Sequence, residues 1–212
     1  MLRPHLMPST RQALEDPRLA LHFLDGRRFT NRLGPGANYD LVLVLSADPA
    51  SAHSNRYFTL EFYQRLSRAM APDGVLCTAV SSASNYLGRE VKSYSGSVFH
   101  TLSAVFPRVA IMPGDDHLYC ASRAPDRVSE DPAVLEERYL QTELAEPRAP
   151  AESFYSLLPA DRIAFVREQL GSHSGELNTD ARPITYYFNM ILWGKFSASQ
   201  IVTWLEVLRG MG

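Results

Sequence analysis

The stretch Tyr39–Leu45 (YDLVLVL) constrains the fold of this chain more than any other part of the sequence. Apart from Asp40 the run is apolar throughout, rather than alternating between apolar and polar residues. Such a run is typical of a strand buried on both faces, as in a parallel sheet. Asp48-Pro49 then ends it. The chain is therefore expected to build a parallel sheet covered by helices.

Helical and strand patterns alternate around this run. Apolar residues at every third or fourth position predict amphipathic helices, and short apolar runs between turn residues predict strands. Before the run we expect the end of a helix at residues 11–16, a strand at Leu19–Leu24 and a short helix at Arg27–Leu33. After it we expect helices at 55–70 and 85–106, and strands at Val75–Val80, Arg108–Met112 and His117–Ser122.

The resulting order is β-α-β-α-β-α-β-β, with Pro113–Asp116 as the turn of a closing antiparallel hairpin. Helical crossovers between apolar strands indicate an α/β, doubly wound, Rossmann-like sheet. A last strand inserted antiparallel is the pattern of the class I methyltransferase fold. We expect this sheet core over residues 1–123 and a helical C-terminal extension over 124–212. Its helices are predicted at about 132–144, at Pro159–Leu170 and, in two pieces, at Thr185–Leu208.

Composition excludes several classes of function. With 21 Lys+Arg against 23 Asp+Glu, the net charge of −2 argues against a nucleic-acid partner. No apolar run reaches the length of about 18 residues that a membrane span needs. None of the six histidines has metal-ligand spacing, so no metal site is expected. Cys77 and Cys120 are predicted to be unpaired, buried thiols in strands, which fits a reducing, cytoplasmic location.

Several short motifs, in order along about residues 10–195, resemble the spermidine synthase family of polyamine aminopropyltransferases. The forms Asn-Arg-Tyr and Asn-Thr-Asp-x-Arg-Pro look most like bacterial relatives in which this domain is fused to membrane helices. The segments that carry the resemblance are Asp16–Arg18, Asp25–Phe29, Tyr39-Asp40, Ser46–Pro49, Asn55–Thr59, Glu61–Tyr63, Ala71–Leu76 and Asn178–Pro183.

The resemblance implies transfer of an aminopropyl group from decarboxylated S-adenosylmethionine to a polyamine. In that chemistry, carboxylates and aromatic faces bind the amine cations, and an acceptor takes the proton of the attacking amine. The implied ligands are decarboxylated S-adenosylmethionine or methylthioadenosine, with no tightly bound cofactor. By this resemblance Asp25, Gly26 and Ser46 bind the nucleoside, Asp48 is the remaining amine-site carboxylate, and Tyr63 and Asp180 contact the substrate. Packing is the favoured alternative for Tyr63, and the alternatives for Asp25 and Asp48 are a strand-end turn and a cap.

Departures from the family pattern count against ordinary catalysis. Leu45 stands where the family has its catalytic aspartate, and Ala79 and Leu177 replace two further polar positions of the diamine site. A leucine neither accepts a proton nor compensates a buried ammonium, so we do not expect ordinary putrescine chemistry. The rival hypothesis is therefore a non-catalytic binding or assembly module. A methyltransferase is a third reading, and it would need the glycine-rich loop that is missing here.

The glycine-rich loop and the amino-terminal part of the family domain have no counterpart in this sequence. We therefore expect an N-terminally truncated sheet with an exposed apolar edge. Three explanations stay open: another chain completes the sheet, the chain is part of a longer protein, or the fold is rearranged. The expected partners are nucleoside and polyamine ligands, a second copy or another chain, and a membrane partner docked through Thr185–Leu208.

Overall fold

A single sheet, with strands in the order β1-β2-β4-β3, organises the computed structural model of the chain. The structure describes residues 7–34, 37–82, 88–142, 149–172 and 175–196. Within these ranges the strands are β1 (Tyr39–Val44), β2 (Met70–Ser81), β3 (Arg108–Met112) and β4 (Asp116–Ser122). The helices are α1 (Pro8–Leu14), α2 (Gly26–Arg32), α3 (Ala52–Asn55), α4 (Leu60–Ala69), α5 (Arg89–Ser103), α6 (Pro132–Gln141), α7 (Ser153–Leu157), α8 (Ala160–Gly171) and α9 (Ile184–Phe196).

The strand directions confirm the predicted fold. β1 pairs with β2 in parallel, and β4 lies antiparallel between β2 and β3. The closing hairpin thus inserts its second strand into an otherwise parallel sheet. This is the class I methyltransferase-like arrangement that the order of apolar runs indicates. The parallel β1–β2 pair also places the carboxyl ends of both strands at the same end of the sheet. We call this end the carboxyl edge, to distinguish it from the lateral edge that β1 forms.

The hydrophobic core lies on one face of the sheet. Alternate residues of β2, β4 and β3 point toward it, and helices α4, α5, α8 and α9 cover it. Spacings of three and four residues put one apolar side of each helix against the strands. Fully buried members include Leu76, Val98, Leu102, Ile111, Tyr119 and Leu170. Helices α8 and α9, which follow residue 123, therefore share one core with the strands before it.

The prediction that β1 is buried on both faces is wrong. β1 is an edge strand among the described residues, and its Leu41 and Leu43 side chains are 56% and 55% exposed. Val42 and Val44 point the other way and pack partly against the core. The continuous apolar run thus gives β1 two apolar faces, and the described residues cover only one of them. Among the described residues, β1 therefore forms the expected exposed apolar edge of the sheet.

β2 begins earlier than its sequence indicates. Residues Ala71–Gly74 resemble a turn, yet they form the irregular start of the strand, with a register shift opposite Tyr39–Leu41. A Cβ at Gly74 would lie 2.7 Å from the carbonyl oxygen of Tyr39, so only glycine fits this close approach. The Ser122 hydroxyl donates to the Gly74 carbonyl oxygen at 2.9 Å and satisfies it.

The prediction of two unpaired cysteines is also wrong. Cys77 and Cys120 lie in strands as expected, but a disulfide joins them. They stand directly opposite each other in the β2–β4 register, with Cα atoms 4.3 Å apart. Directly opposed residues of an antiparallel pair approach this closely where they do not exchange backbone hydrogen bonds. The cysteines therefore give no support for a reducing compartment.

The chain divides into two compact units, Met1–Leu33 and Gly34–Gly212. In the first unit the predicted strand Leu19–Leu24 does not form, and Leu19, Leu21 and Phe23 are exposed. Its two helices match the predicted ones closely. In the second unit α9 confirms the first piece of the predicted helix at Thr185–Leu208, while residues 197–212 lie outside the described residues. The expected boundary at residue 123 stays a prediction.

No helix within the described ranges combines the length and the apolar character needed to cross a bilayer.

Candidate functional site at the carboxyl edge of the sheet

Asp48 joins the carboxyl ends of the two parallel strands. It lies four residues after β1, and its Oδ1 accepts a hydrogen bond from the Ser81 backbone N–H at the end of β2, at 2.8 Å. This backbone contact fixes the carboxylate at the edge where open α/β sheets bind ligands. A carboxylate oxygen accepts more than one hydrogen bond, so Asp48 can also receive an ammonium group.

Leu45 also stands at this edge, one residue beyond β1. Its side chain is 87% exposed, which makes it one of the most exposed large apolar side chains of the described chain. Ser46 follows it and is half-buried, and Ala79 on β2 is half-buried as well. The residues predicted to border the diamine thus bring one carboxylate and two apolar side chains to the edge.

A buried polar cluster, formed by Ser82, Ser95, His117 and Tyr119, lies behind the edge. The His117 Nε2 is 2.8 Å from the Ser82 Oγ, and its Nδ1 is 2.9 Å from the Ser95 Oγ. The Ser95 Oγ is in turn 2.6 Å from the Tyr119 hydroxyl. The spacing of the histidines in the sequence excludes a metal site but does not predict this cluster. The signal available was the alternation of His117 and Tyr119 on one face of a strand.

Burial controls the protonation of this cluster. Burial, reinforced by the positive charge of Arg162 and opposed by Asp116, lowers the pKa of His117 to about 4. Burial likewise raises the pKa of Tyr119 above its ordinary value. Burial, and after it the charge of Asp48, raises the pKa of Tyr94. The cluster is therefore uncharged near neutral pH, and it presents hydroxyl and imidazole groups rather than charges.

Tyr63 lies in the hydrophobic core. Its side chain is fully buried, and burial raises the pKa of its hydroxyl well above the ordinary value. The hydroxyl oxygen makes no hydrogen bond among the described residues. The packing role that the sequence favours for Tyr63 agrees with this position, and its contact with a substrate stays a prediction.

Asp180 belongs to a network that fastens the Asn178–Pro183 segment to the helices. Its Oδ1 accepts a hydrogen bond from the Thr59 hydroxyl at 2.7 Å, and its backbone N–H donates to Glu61 at 2.9 Å. The neighbouring Asn178 is fully buried and donates from Nδ2 to the Asn55 Oδ1 at 3.1 Å. The two Asn-containing motifs of the sequence therefore meet in space, which their separation of 123 residues does not reveal.

Asp25 and Gly26 lie in the first compact unit. The Asp25 carboxylate caps helix α2 by accepting a hydrogen bond from the Arg28 backbone N–H at 3.1 Å. Gly26 is the first residue of that helix. This is the local role expected of an aspartate before a helix. The predicted contact of both residues with adenine stays a prediction.

A cavity of about 190 Å³ lies on the sheet face opposite the core. Val75, Leu118 and Cys120 form its floor, and Leu135 and Leu158 are among the residues that cover it. Its lining is almost entirely apolar and does not include Asp48. This cavity is therefore separate from the carboxyl edge.

Comparison with known families agrees with the fold. Residues 3–114 match the spermine/spermidine synthase domain, and this match covers more than half of the chain. The chain belongs to the spermine/spermidine synthase family. It is 37% identical over 75 residues to spermidine synthase 2 of Hyoscyamus niger, which covers 35% of this chain and 24% of that protein. It is 36% identical over 104 residues to the polyamine aminopropyltransferase of Lachnoclostridium phytofermentans, covering 48% of this chain and 34% of that protein.

Solved members of the spermidine synthase family share the fold. A spermidine synthase in complex with the transition state analogue AdoDATO superimposes with a TM-score of 0.55 and 20% identity, covering 77% of this chain and 54% of that one. Spermidine synthase from Thermotoga maritima superimposes with a TM-score of 0.53 and 22% identity, covering 77% and 53%. The chain thus spans about half the length of these structures, and about a quarter to a third of the curated relatives described above.

Proposed function

We propose that this spermidine synthase domain binds an adenine nucleoside and a polyamine at its carboxyl edge without catalysing ordinary aminopropyl transfer to putrescine. The nucleoside would be decarboxylated S-adenosylmethionine or its product methylthioadenosine. Two observations support binding there: the family match, and an edge that retains a fixed carboxylate, Asp48.

Leu45 is the observation that carries the catalytic part of the proposal. In aminopropyl transfer the amine nitrogen forms a bond to the carbon beside the sulfonium, the carbon–sulfur bond breaks, and methylthioadenosine leaves. The nitrogen must lose a proton to an acceptor, because an ammonium has no lone pair with which to attack. A hydrocarbon side chain, 87% exposed where the resemblance expects an aspartate, cannot accept that proton.

Asp48 is left as the carboxylate that would attract the amine. The Ser81 N–H fixes its position, and its negative charge helps to raise the pKa of Tyr94. One carboxylate binds an ammonium less tightly than two would, because the Coulomb attraction of the second is lost. Weak polyamine binding, rather than none, is therefore expected.

Calorimetry and a product assay test the proposal together. We expect methylthioadenosine and spermidine to bind the wild-type chain, and spermidine binding to weaken about tenfold in Asp48→Asn. With decarboxylated S-adenosylmethionine and putrescine, we expect methylthioadenosine release only at background level. Product release that is lost in Asp48→Asn but retained in Leu45→Ala would instead establish Asp48 as a working catalytic group. Absence of binding to both probes would contradict the binding function.

A non-catalytic assembly module is the second candidate. The observation that favours it is the exposure of Leu41, Leu43 and Leu45 on and just after β1, which no further described strand pairs with on its outer side. Unpaired backbone groups beside apolar side chains are a template for pairing with another strand. In this reading a second copy or another chain completes the sheet. A strictly monomeric, well-folded chain at all concentrations in analytical ultracentrifugation would count against self-assembly.

A further inference from the structure

We infer that the contact between Asn55 and Asn178 is a positioning device that holds the connection carrying Asp48 against the C-terminal segment. The connection runs from the end of β1 to the start of α4, and we call it the edge connection (residues 45–59). The inference deepens the proposed function, because it concerns how the candidate ligand site keeps its shape.

The edge connection is held at two points. Near its start, Asp48 accepts the Ser81 N–H at the end of β2. Near its end, Asn55 is 2% exposed, and its Oδ1 accepts hydrogen bonds from the Asn178 Nδ2 and the Tyr186 N–H, each at 3.1 Å. Between these points Ser51 begins the short helix α3 with a reciprocal cap to Ser54. Hydrogen bonds of Asp48 and Asn55 thus hold the edge connection near its two ends, and the Ser51–Ser54 cap orders the segment between them.

Every polar atom of Asn178 forms a hydrogen bond. Its Nδ2 donates to the Asn55 Oδ1 and to the Phe58 carbonyl oxygen, the latter at 2.9 Å. Its backbone N–H donates to the Thr101 hydroxyl at 2.9 Å, and its carbonyl oxygen accepts from the Leu60 N–H at 2.8 Å. Its Oδ1 accepts from the Thr185 N–H at 3.3 Å. A fully buried amide with every group satisfied is costly to replace, since each lost partner leaves a buried polar atom behind.

The two asparagines also cap helix α9. The first backbone N–H groups of a helix have no partner within it, and here Asn178 and Asn55 accept those of Thr185 and Tyr186. Packing of α9 against α5 and the position of the edge connection thus depend on the same two side chains. Movement of the C-terminal segment would break the hydrogen bonds that hold the edge connection. The groups around Asp48 would then be free to shift.

Amide hydrogen exchange, read by mass spectrometry, tests this positioning role. We expect Asn178→Ala to speed exchange in residues 51–58 about tenfold or more relative to the wild type. Thr179→Ala is the matched control, because the Thr179 hydroxyl accepts only the Arg182 N–H of its own turn in the contacts described. Exchange in β4 reports global opening, and it should change less than exchange in residues 51–58.

Asn55 supplies a second, independent pair of variants. Asn55→Ala removes the acceptor, whereas Asn55→Asp keeps an oxygen for both donors and places negative charge at the start of α9, where it is favourable. Asn55→Asp should therefore retain protection that Asn55→Ala loses. Unchanged exchange in residues 51–58 in both alanine variants would overturn the inference.

Ligand binding separates this inference from the proposed function. If the wild type binds methylthioadenosine and spermidine, Asn178→Ala should weaken both about fivefold or more, and Thr179→Ala should not. If the wild type binds neither probe, the proposed function fails, while the exchange experiment still decides whether the two asparagines hold the edge connection.

Discussion

Acidification should destabilise the folded chain through His117. This side chain is fully buried between Ser82 and Ser95, and burial lowers its pKa to about 4 from an ordinary value of 6.5. Between these two values the unfolded chain binds a proton that the folded chain does not bind. The free energy of unfolding therefore falls as the pH falls from about 6.5 to about 4, and the effect of His117 levels off below that.

The size of the effect follows from the two pKa values of His117. A difference of one pKa unit corresponds to 1.36 kcal/mol, so lowering the pKa from 6.5 to about 4 predicts a loss of about 3 kcal/mol between pH 7 and pH 4. This is a large share of the stability of a typical domain. Carboxylates also titrate near the lower end of this range, so the contribution of His117 must be isolated by a variant.

Urea unfolding followed by circular dichroism at pH 7, 6, 5 and 4 provides the measurement. His117→Gln should be less stable than the wild type at pH 7, yet it should lose about 3 kcal/mol less on going to pH 4. His53→Gln, at an exposed position on α3, is the matched control and should follow the wild type. Parallel wild-type and His117→Gln curves, or a His117 pKa near 6.5 by nuclear magnetic resonance, would refute this reasoning.

Three further predictions concern stability and association. Reduction of the Cys77–Cys120 disulfide, which closes a loop of 43 residues, should lower the free energy of unfolding by up to about 4 kcal/mol in urea titrations with and without dithiothreitol. An unchanged midpoint would show that the bond does not constrain the unfolded chain. Leu102→Ala, at a fully buried position on α5, should cost about 2–5 kcal/mol in the same assay. Leu43→Lys should reduce self-association in light scattering, whereas Leu140→Lys, at an exposed position on α6, should not; equal effects would remove the special role of the β1 edge.

The elements that the sequence predicted correctly are those with a strong local period. The helices over residues 89–103 and 160–171, and the hairpin at 108–122, follow from apolar spacing and turn residues within one segment. The inserted antiparallel strand then gave the fold class, because few topologies combine helical crossovers with a final hairpin. Local pattern and chain order were sufficient for this part of the fold.

The errors came from contacts that local pattern does not encode. Leu19–Leu24 alternates as a strand does, but it forms no strand. An alternating pattern shows that a segment has two different faces, and it does not show that another strand is there to pair with it. The turn-like Ala71–Gly74 became strand because Gly74 allows the close approach of Tyr39. The number of cysteines in the sequence predicts no disulfide, whereas the β2–β4 register places Cys77 directly opposite Cys120.

At the candidate site, the sequence predicted where Asp48 lies but not the group that contacts it. Asp48 does lie at the carboxyl edge, as the end of an apolar strand indicates. The Ser81 N–H that orients it, and the cluster around His117, come from another crossover and another strand. Groups separated by 22 to 35 residues in sequence meet there because of the topology, which only the folded chain displays.

Leu45 and the two asparagines bear on the same end of the sheet. Leu45 stands where the resemblance expects the proton acceptor, while Asn55 and Asn178 form four side-chain hydrogen bonds, one of them to each other across 123 residues of sequence. A buried polar group that loses its partner costs free energy, so this network favours one position of the edge connection over others. The segment they hold carries Asp48 and borders the carboxyl edge. This combination supports the proposal that the domain binds a ligand or partner at this edge rather than turning over the family's substrate.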